Sequence, residues 1–157
     1  TVDSGVVVDE NLQASAPGVY AAGDMASAWH PHYRRHLRVE HWANALNQGA
    51  AAGANATGGP QPYTRLPYFF SDQYDLGLEY VGYADPGDQV VIRGDIAGRE
   101  FIAFYLSDGL VTAAMNVNVW DVVEDLRAVI TAARPVDRGR LADPDVPLGE
   151  LASTPGS

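Results

Sequence analysis

The chain has 157 residues, 46% of them hydrophobic, and 20 acidic residues against 10 Lys and Arg give a formal charge of −10. That length and apolar content suffice for one ordinary core or two small ones, and the acidic balance argues against a nucleic-acid partner, whose phosphates call for clustered cations. Zero cysteines exclude disulfides, thiolate metal sites and iron–sulfur ligation from this segment, and Gly, Asp or Arg breaks every apolar stretch too early for a membrane span.

In chain order, the apolar runs Gly5 to Asp9 and Val19 to Ala22 are predicted as short strands. Gly23-Asp24 follows the second run. A carboxylate at the carboxyl end of a buried strand, beside a glycine that permits close approach, suits hydrogen bonding to sugar-like hydroxyls; from two residues alone, a plain turn is the commoner reading. His30-Pro31-His32-Tyr33-Arg34-Arg35-His36-Leu37-Arg38 gathers three of the four histidines. It reads either as a solvated loop or as a local positive patch that steers an acidic partner. The histidine spacing matches no compact metal signature. Trp42 to Ala56 is predicted as a helix, with Trp42, Leu46, Gly49, Gly53 and Ala56 along one small face against which another backbone can lie. Its start, Glu40-His41-Trp42-Ala43-Asn44-Ala45, presents unpaired N–H groups and a partial positive charge.

Thr57-Gly58-Gly59-Pro60-Gln61-Pro62 is a connector composition, which divides the chain into a first region over 1–58, a linker over 59–64 and a second region over 65–157. In the second region Tyr68, Phe69 and Phe70 read in the plainest way as the first strand of a core, a reading adopted for Phe69. Gln89 to Arg93, Glu100 to Leu106 and Leu110 to Val117 are further strands, the last two joined at Ser107-Asp108-Gly109 by a tight hairpin. A helix is predicted from Val119 to Ala133, capped by Asn118, with Asp121 in its first turn and Val122, Leu126, Ile130 and Ala133 as its apolar face; Arg134-Pro135 ends it. The tail from Asp143 to Ser157 has only Leu148 and Leu151 with which to pack a single turn. An α+β fold with an antiparallel sheet is expected. No residue is an evident acid, base or nucleophile, so neither a catalytic residue nor a metal ligand is assigned.

Several segments, in order along the chain, carry a resemblance: Val6 to Asp24, Arg38-Val39-Glu40-His41-Trp42, Leu66 to Gly82, and the pair Asn116 to Asp121 and Leu141 to Leu148. Together they resemble the FAD-dependent NAD(P)H:ferredoxin reductases, flavoproteins with two dinucleotide-binding domains. The match is to the end of a Rossmann-like FAD-binding domain followed by the reductase C-terminal domain. It spans Gly5 to Leu151. The resemblance implies FAD as cofactor, NAD(P)H as co-substrate and electron transfer to a 2Fe–2S ferredoxin serving an oxygenase. It also implies the remainder of a reductase chain as partner, since no Gly-x-Gly-x-x-Gly loop occurs and residue 1 is Thr. By the same resemblance Gly23 and Asp24 hold the ribityl chain of FAD. Glu40, His41, Trp42 and Ala45 meet the flavin ring, mainly through backbone, and Phe70 walls off the flavin edge where relatives often carry Trp. A cytoplasmic protein is expected. The rivals are a monodehydroascorbate reductase, an NADH oxidase resembling apoptosis-inducing factor, and a non-enzymatic module that docks a ferredoxin.

Overall fold

The structure, a computed structural model, describes residues 4–153. The chain forms two compact units that divide between Pro67 and Tyr68.

In the first unit β1 (Val6–Val8) runs parallel to β2 (Ala26–His30), and β3 (Arg35–Leu37) pairs antiparallel with β2. A long helix, α1 (Trp42–Thr57), follows. Val8, Leu12, Ala21, Ala26, Ala28, Ala52 and Tyr63 form the core. Val19 to Ala22, expected as a strand, is not one. Its backbone ties are local: a single bridge between Tyr20 and Gln13, made by the Ala14 N–H donating to the Val19 carbonyl and the Ala21 N–H to the Leu12 carbonyl, and a turn bond from the Val19 N–H to the Ala16 carbonyl. A strand needs a ladder partner along its length, and no element of this unit offers one there. A 3₁₀ turn at Gly23–Met25 comes next, and the strand begins at Ala26. Asp24 therefore precedes a strand instead of ending one. The basic stretch from His30 to Arg38 is a β2–β3 hairpin, not a solvated loop: Trp29 faces His36 edge to face across it, and His30 is buried.

The helix forms where its composition predicts, with the opposite face inward. Trp42 and Leu46 are 75% and 58% exposed and Gly49 and Gly53 are exposed, whereas Asn44, Gln48, Ala52 and Asn55 are buried. Buried amides cost free energy unless they find partners. Here they find backbone groups of the surrounding loops: Asn44 Nδ2 donates to the Val39 carbonyl, and Asn55 Nδ2 donates to the carbonyls of Asn11 and Gln61 while its Oδ1 accepts from the Gln61 N–H. The face reverses because loop carbonyls and amides lie against the helix and accept from or donate to its side-chain amides, while Ala52 joins the core.

In the second unit β4 (Tyr68–Gln73), β5 (Leu76–Gly82), β6 (Gln89–Asp95), β7 (Glu100–Ser107) and β8 (Leu110–Val117) build one antiparallel sheet in the order β4-β5-β8-β7-β6. Asp108 and Gly109 have φ of 49° and 79°, the paired positive values of a tight β7–β8 turn. α2 (Val123–Thr131) packs on β5 and β8, α3 (Arg138–Ala142) on β6, and α4 (Leu148–Leu151) on α2. Leu126, Val129, Ile130, Leu141 and Leu151 are the buried residues of these helices. Arg93 fixes the segment before α4 by donating to the carbonyls of Asp143, Pro144 and Val146 at 2.6, 3.1 and 2.6 Å.

The expected start of α2 is corrected. Asn118 does not cap it: its Oδ1 accepts from the Gly77 N–H at 2.8 Å and its Nδ2 donates to the Asp75 carbonyl, with φ at 50°. Asp121 also lies outside the helix, at φ 61°, and Glu124 and Asp125 supply the first-turn charges. The chain turns through Asn118 to Val122 before the helix can begin.

Candidate functional site

Gly23, Asp24, His41 and Ala45 come together in the first unit. Gly23 has φ of +70°, and a Cβ there would stand 3.1 Å from Ala45 Cβ and 3.3 Å from Ala45 Cα, so the turn lies against the first turns of α1 as only glycine allows. The buried Gly23 N–H donates to Gln48 Oε1 at 2.9 Å. On the other side Arg38 Nε donates to the Asp24 carbonyl at 2.7 Å, Nη1 to the Ser4 carbonyl at 3.1 Å, and Nη2 pairs with the Glu40 carboxylate. The Asp24 side chain is exposed and makes no hydrogen bond or ion pair among the described residues. It is an acceptor held in place by its backbone and uncommitted through its carboxylate.

His41 occupies the position before α1 in extended conformation, and its side chain makes no capping hydrogen bond to the helix. With no acidic residue in its first turn, α1 keeps its N-terminal partial positive charge unneutralised by its own sequence. Burial holds the His41 imidazole below its ordinary pKa, an effect that the Asp24 charge opposes. A neutral ring at neutral pH follows. Glu40 is exposed and committed to Arg38, and Trp42 stands out into solvent.

Phe70 belongs to the second unit, where it is 58% exposed on the outer strand β4, paired in register with Glu79. Beside it a polar cluster was not anticipated from sequence. Tyr68 Oη donates to Glu79 Oε1 at 2.7 Å, buried Asn116 Nδ2 donates to Glu79 Oε2 at 2.9 Å, and the Arg127 guanidinium lies 5.4 Å from the Tyr68 ring centroid. Desolvation, reinforced by Glu79, pushes the Tyr68 phenol up to about 12.

A groove of about 530 Å³ in the first unit, lined by Val7, Asp9, Gln13, Trp29 and His36 among others, contains none of the expected site residues. One oxygen of its Asp9 carboxylate is already committed to the amides of Asn11 and Gln13. Size alone does not make it the better candidate. Among the described residues no three His, Cys, Asp or Glu side chains gather to hold a metal, and no helix is long and apolar enough to cross a membrane.

The model of the family described as reductase C-terminal matches residues 68–152, which is more than half of the chain and coincides with the sheet-and-helix unit. The chain belongs to the reductase C-terminal family. Residues 1–49 match the model described as pyridine nucleotide-disulphide oxidoreductase, so a match to a second family precedes the reductase C-terminal segment. It is 43% identical over 98% of its length to the 5,5'-dehydrodivanillate O-demethylase ferredoxin reductase subunit of a Sphingobium species, covering 37% of that protein. Against putidaredoxin reductase of Pseudomonas putida it is 36% identical, with 96% of this chain and 36% of the relative covered. A ferredoxin reductase structure from Rhodopseudomonas palustris superimposes with a TM-score of 0.87 at 33% identity, over 98% of this chain and 38% of that one. The covalent putidaredoxin reductase–putidaredoxin complex gives 0.85 at 36%, over 96% and 36%. The chain thus spans little more than a third of the relatives it matches.

Gln48 is the functional candidate that sequence reading missed. The available signal was a row of amides at helical spacing, Asn44, Gln48 and Asn55, on a helix otherwise rich in Ala and Gly.

His30 supplies a pH dependence for this unit. Its Nε2 faces the Arg65 carbonyl at 3.1 Å and must carry the proton, while buried Nδ1 has no hydrogen-bond partner among the described residues. Burial lowers its pKa most, the Arg65 carbonyl opposes this, and neighbouring His32 adds to the lowering. A histidine with a depressed folded pKa is protonated first in the unfolded chain, so stability is full above about 6.5 and falls as pH drops below it. His32 and His41 are lowered in the same direction. Urea midpoints for the first unit are expected to fall from pH 7 to pH 5, with a shallower fall in His30→Gln. A flat profile contradicts the assignment.

Proposed function

We propose that this chain is part of a longer FAD-dependent NAD(P)H:ferredoxin oxidoreductase, passing electrons to a 2Fe–2S ferredoxin that serves an oxygenase, and that it contributes Gly23, Asp24, Glu40, His41, Trp42, Ala45 and Phe70 to the flavin site. The observation that carries this reading is the exposed Asp24 carboxylate, which makes no hydrogen bond or ion pair among the described residues, on a braced turn packed against the first turns of α1. The residues fit the group. Asp24 offers an acceptor for sugar-type hydroxyls, and the first amides of α1 offer donors for a ring that gains negative charge on reduction. FAD, when bound, accepts a hydride and releases electrons one at a time. His41, kept neutral by burial, adds no positive charge of its own at neutral pH. Phe70 presents an exposed aromatic face but no N–H donor, so it acts by excluding water.

The names of the relatives support the acceptor class: a demethylase ferredoxin reductase subunit, a ferredoxin–NAD(+) reductase component of an anthranilate dioxygenase system, and a reductase joined to putidaredoxin. A 30% identity to apoptosis-inducing factor 3 of human over 83% of this chain favours the second reading, an NADH oxidase. Acceptor assays on the longer polypeptide separate the two. Cytochrome c reduction that depends on added ferredoxin is expected; NADH oxidation indifferent to ferredoxin selects the second reading.

A further inference from the structure

Every flavin contact that the resemblance suggests in the first unit lies at the turn or at the start of α1, yet the group that fixes the turn lies further along the helix. Gln48 is 5% exposed and directs its Oε1 to the Gly23 N–H at 2.9 Å. That N–H belongs to a buried residue at φ +70°, in contact with Ala45, where no main-chain carbonyl of the described residues accepts from it. A buried donor without an acceptor is costly, so the turn must either keep Gln48 or move. If it moves, Asp24 moves with it, because Asp24 is the next residue in the same three-residue turn. Arg38 holds the opposite side through the Asp24 carbonyl, leaving Gln48 as the restraint on the helix side.

We propose that Gln48 is a positioning residue for the flavin's sugar-like chain: it touches no ligand and acts by fixing Gly23, which sets the place of the Asp24 carboxylate. This rests on the flavin reading above. Asn55 makes a matched control, because it is an equally buried amide on the same helix face, bonded to Asn11 and Gln61 and not to the turn.

The test uses the longer flavoprotein, with FAD as the probe, at a temperature where all variants are folded. Gln48→Leu is expected to weaken FAD binding by about tenfold to a hundredfold, the effect of one unsatisfied buried amide, and to speed hydrogen exchange at Gly23 in the flavin-free protein. Gln48→Glu, which keeps an acceptor for that N–H, is expected to restore the slow exchange. Asn55→Leu lowers stability and leaves FAD affinity within about twofold, since a fixed turn is all that affinity requires. Equal losses of affinity in Gln48→Leu and Asn55→Leu overturn the proposal, as does unchanged FAD affinity in Gln48→Leu. If the unsubstituted protein binds no FAD, the flavin reading itself fails, whereas Gly23 exchange still reports whether Gln48 holds the turn.

Discussion

Gly23→Val is expected to destabilise the first unit by about 3 kcal/mol, roughly the sum of a left-handed backbone for a β-branched residue and overpacking against a helix. Both causes are local. The residue sits at φ +70°, and its Cβ would stand 3.1 Å from Ala45 Cβ, leaving no room for two more methyl groups. Relief requires α1 to retreat, which stretches the Gln48 bond to the Gly23 N–H and disturbs the arginine clamp on Asp24. Denaturant unfolding followed by the tryptophans of this unit measures the loss. A change under about 0.5 kcal/mol, the range of an ordinary surface substitution, would mean that the close approach is not a constraint.

Phe104→Ala should lower the stability of the second unit by about 3–5 kcal/mol. Phe104 is 0% exposed on β7, in register with Val91 of β6 and Ala114 of β8. Its neighbours along the strand, Ala103 and Leu106, are buried as well, and the facing strand contributes the small residues Ala113 and Ala114. Ala114, beside it in register on β8, is too small to reach across and fill the space of a lost ring, so the cavity term persists. Calorimetry of the wild type and the variant checks this, and a loss below about 1 kcal/mol would place Phe104 at a site that collapses freely.

The second unit was the more legible half of the sequence. Its strands alternate or run apolar between turn residues, and Asp108-Gly109 names its own turn type because few other pairs take positive φ twice. Where expectation failed, a distant partner decided the outcome. Asn118 has the character of a helix cap, yet its side chain bonds Gly77 and Asp75, more than 40 positions away, and α2 starts later. Val19 to Ala22 has strand composition but lacks a neighbouring strand, and local propensity cannot supply a ladder. On α1, a hydropathy pattern assigns Asn44, Gln48 and Asn55 to solvent. Only the carbonyls and amides of the loops that they meet turn them inward. The Gly23-Asp24 pair was visible as a candidate from its motif, whereas its bracing by Gln48 and Arg38 required coordinates.

The reading rests on the Asp24 turn of the first unit holding part of a flavin, and the flavin content of the longer polypeptide, purified without added cofactor, is to be measured beside that of its Asp24→Ala variant. One tightly held FAD per chain is expected in the unsubstituted protein, with most of it lost on gel filtration of a folded Asp24→Ala. A flavin-free protein, or a variant that keeps its FAD, would contradict the account.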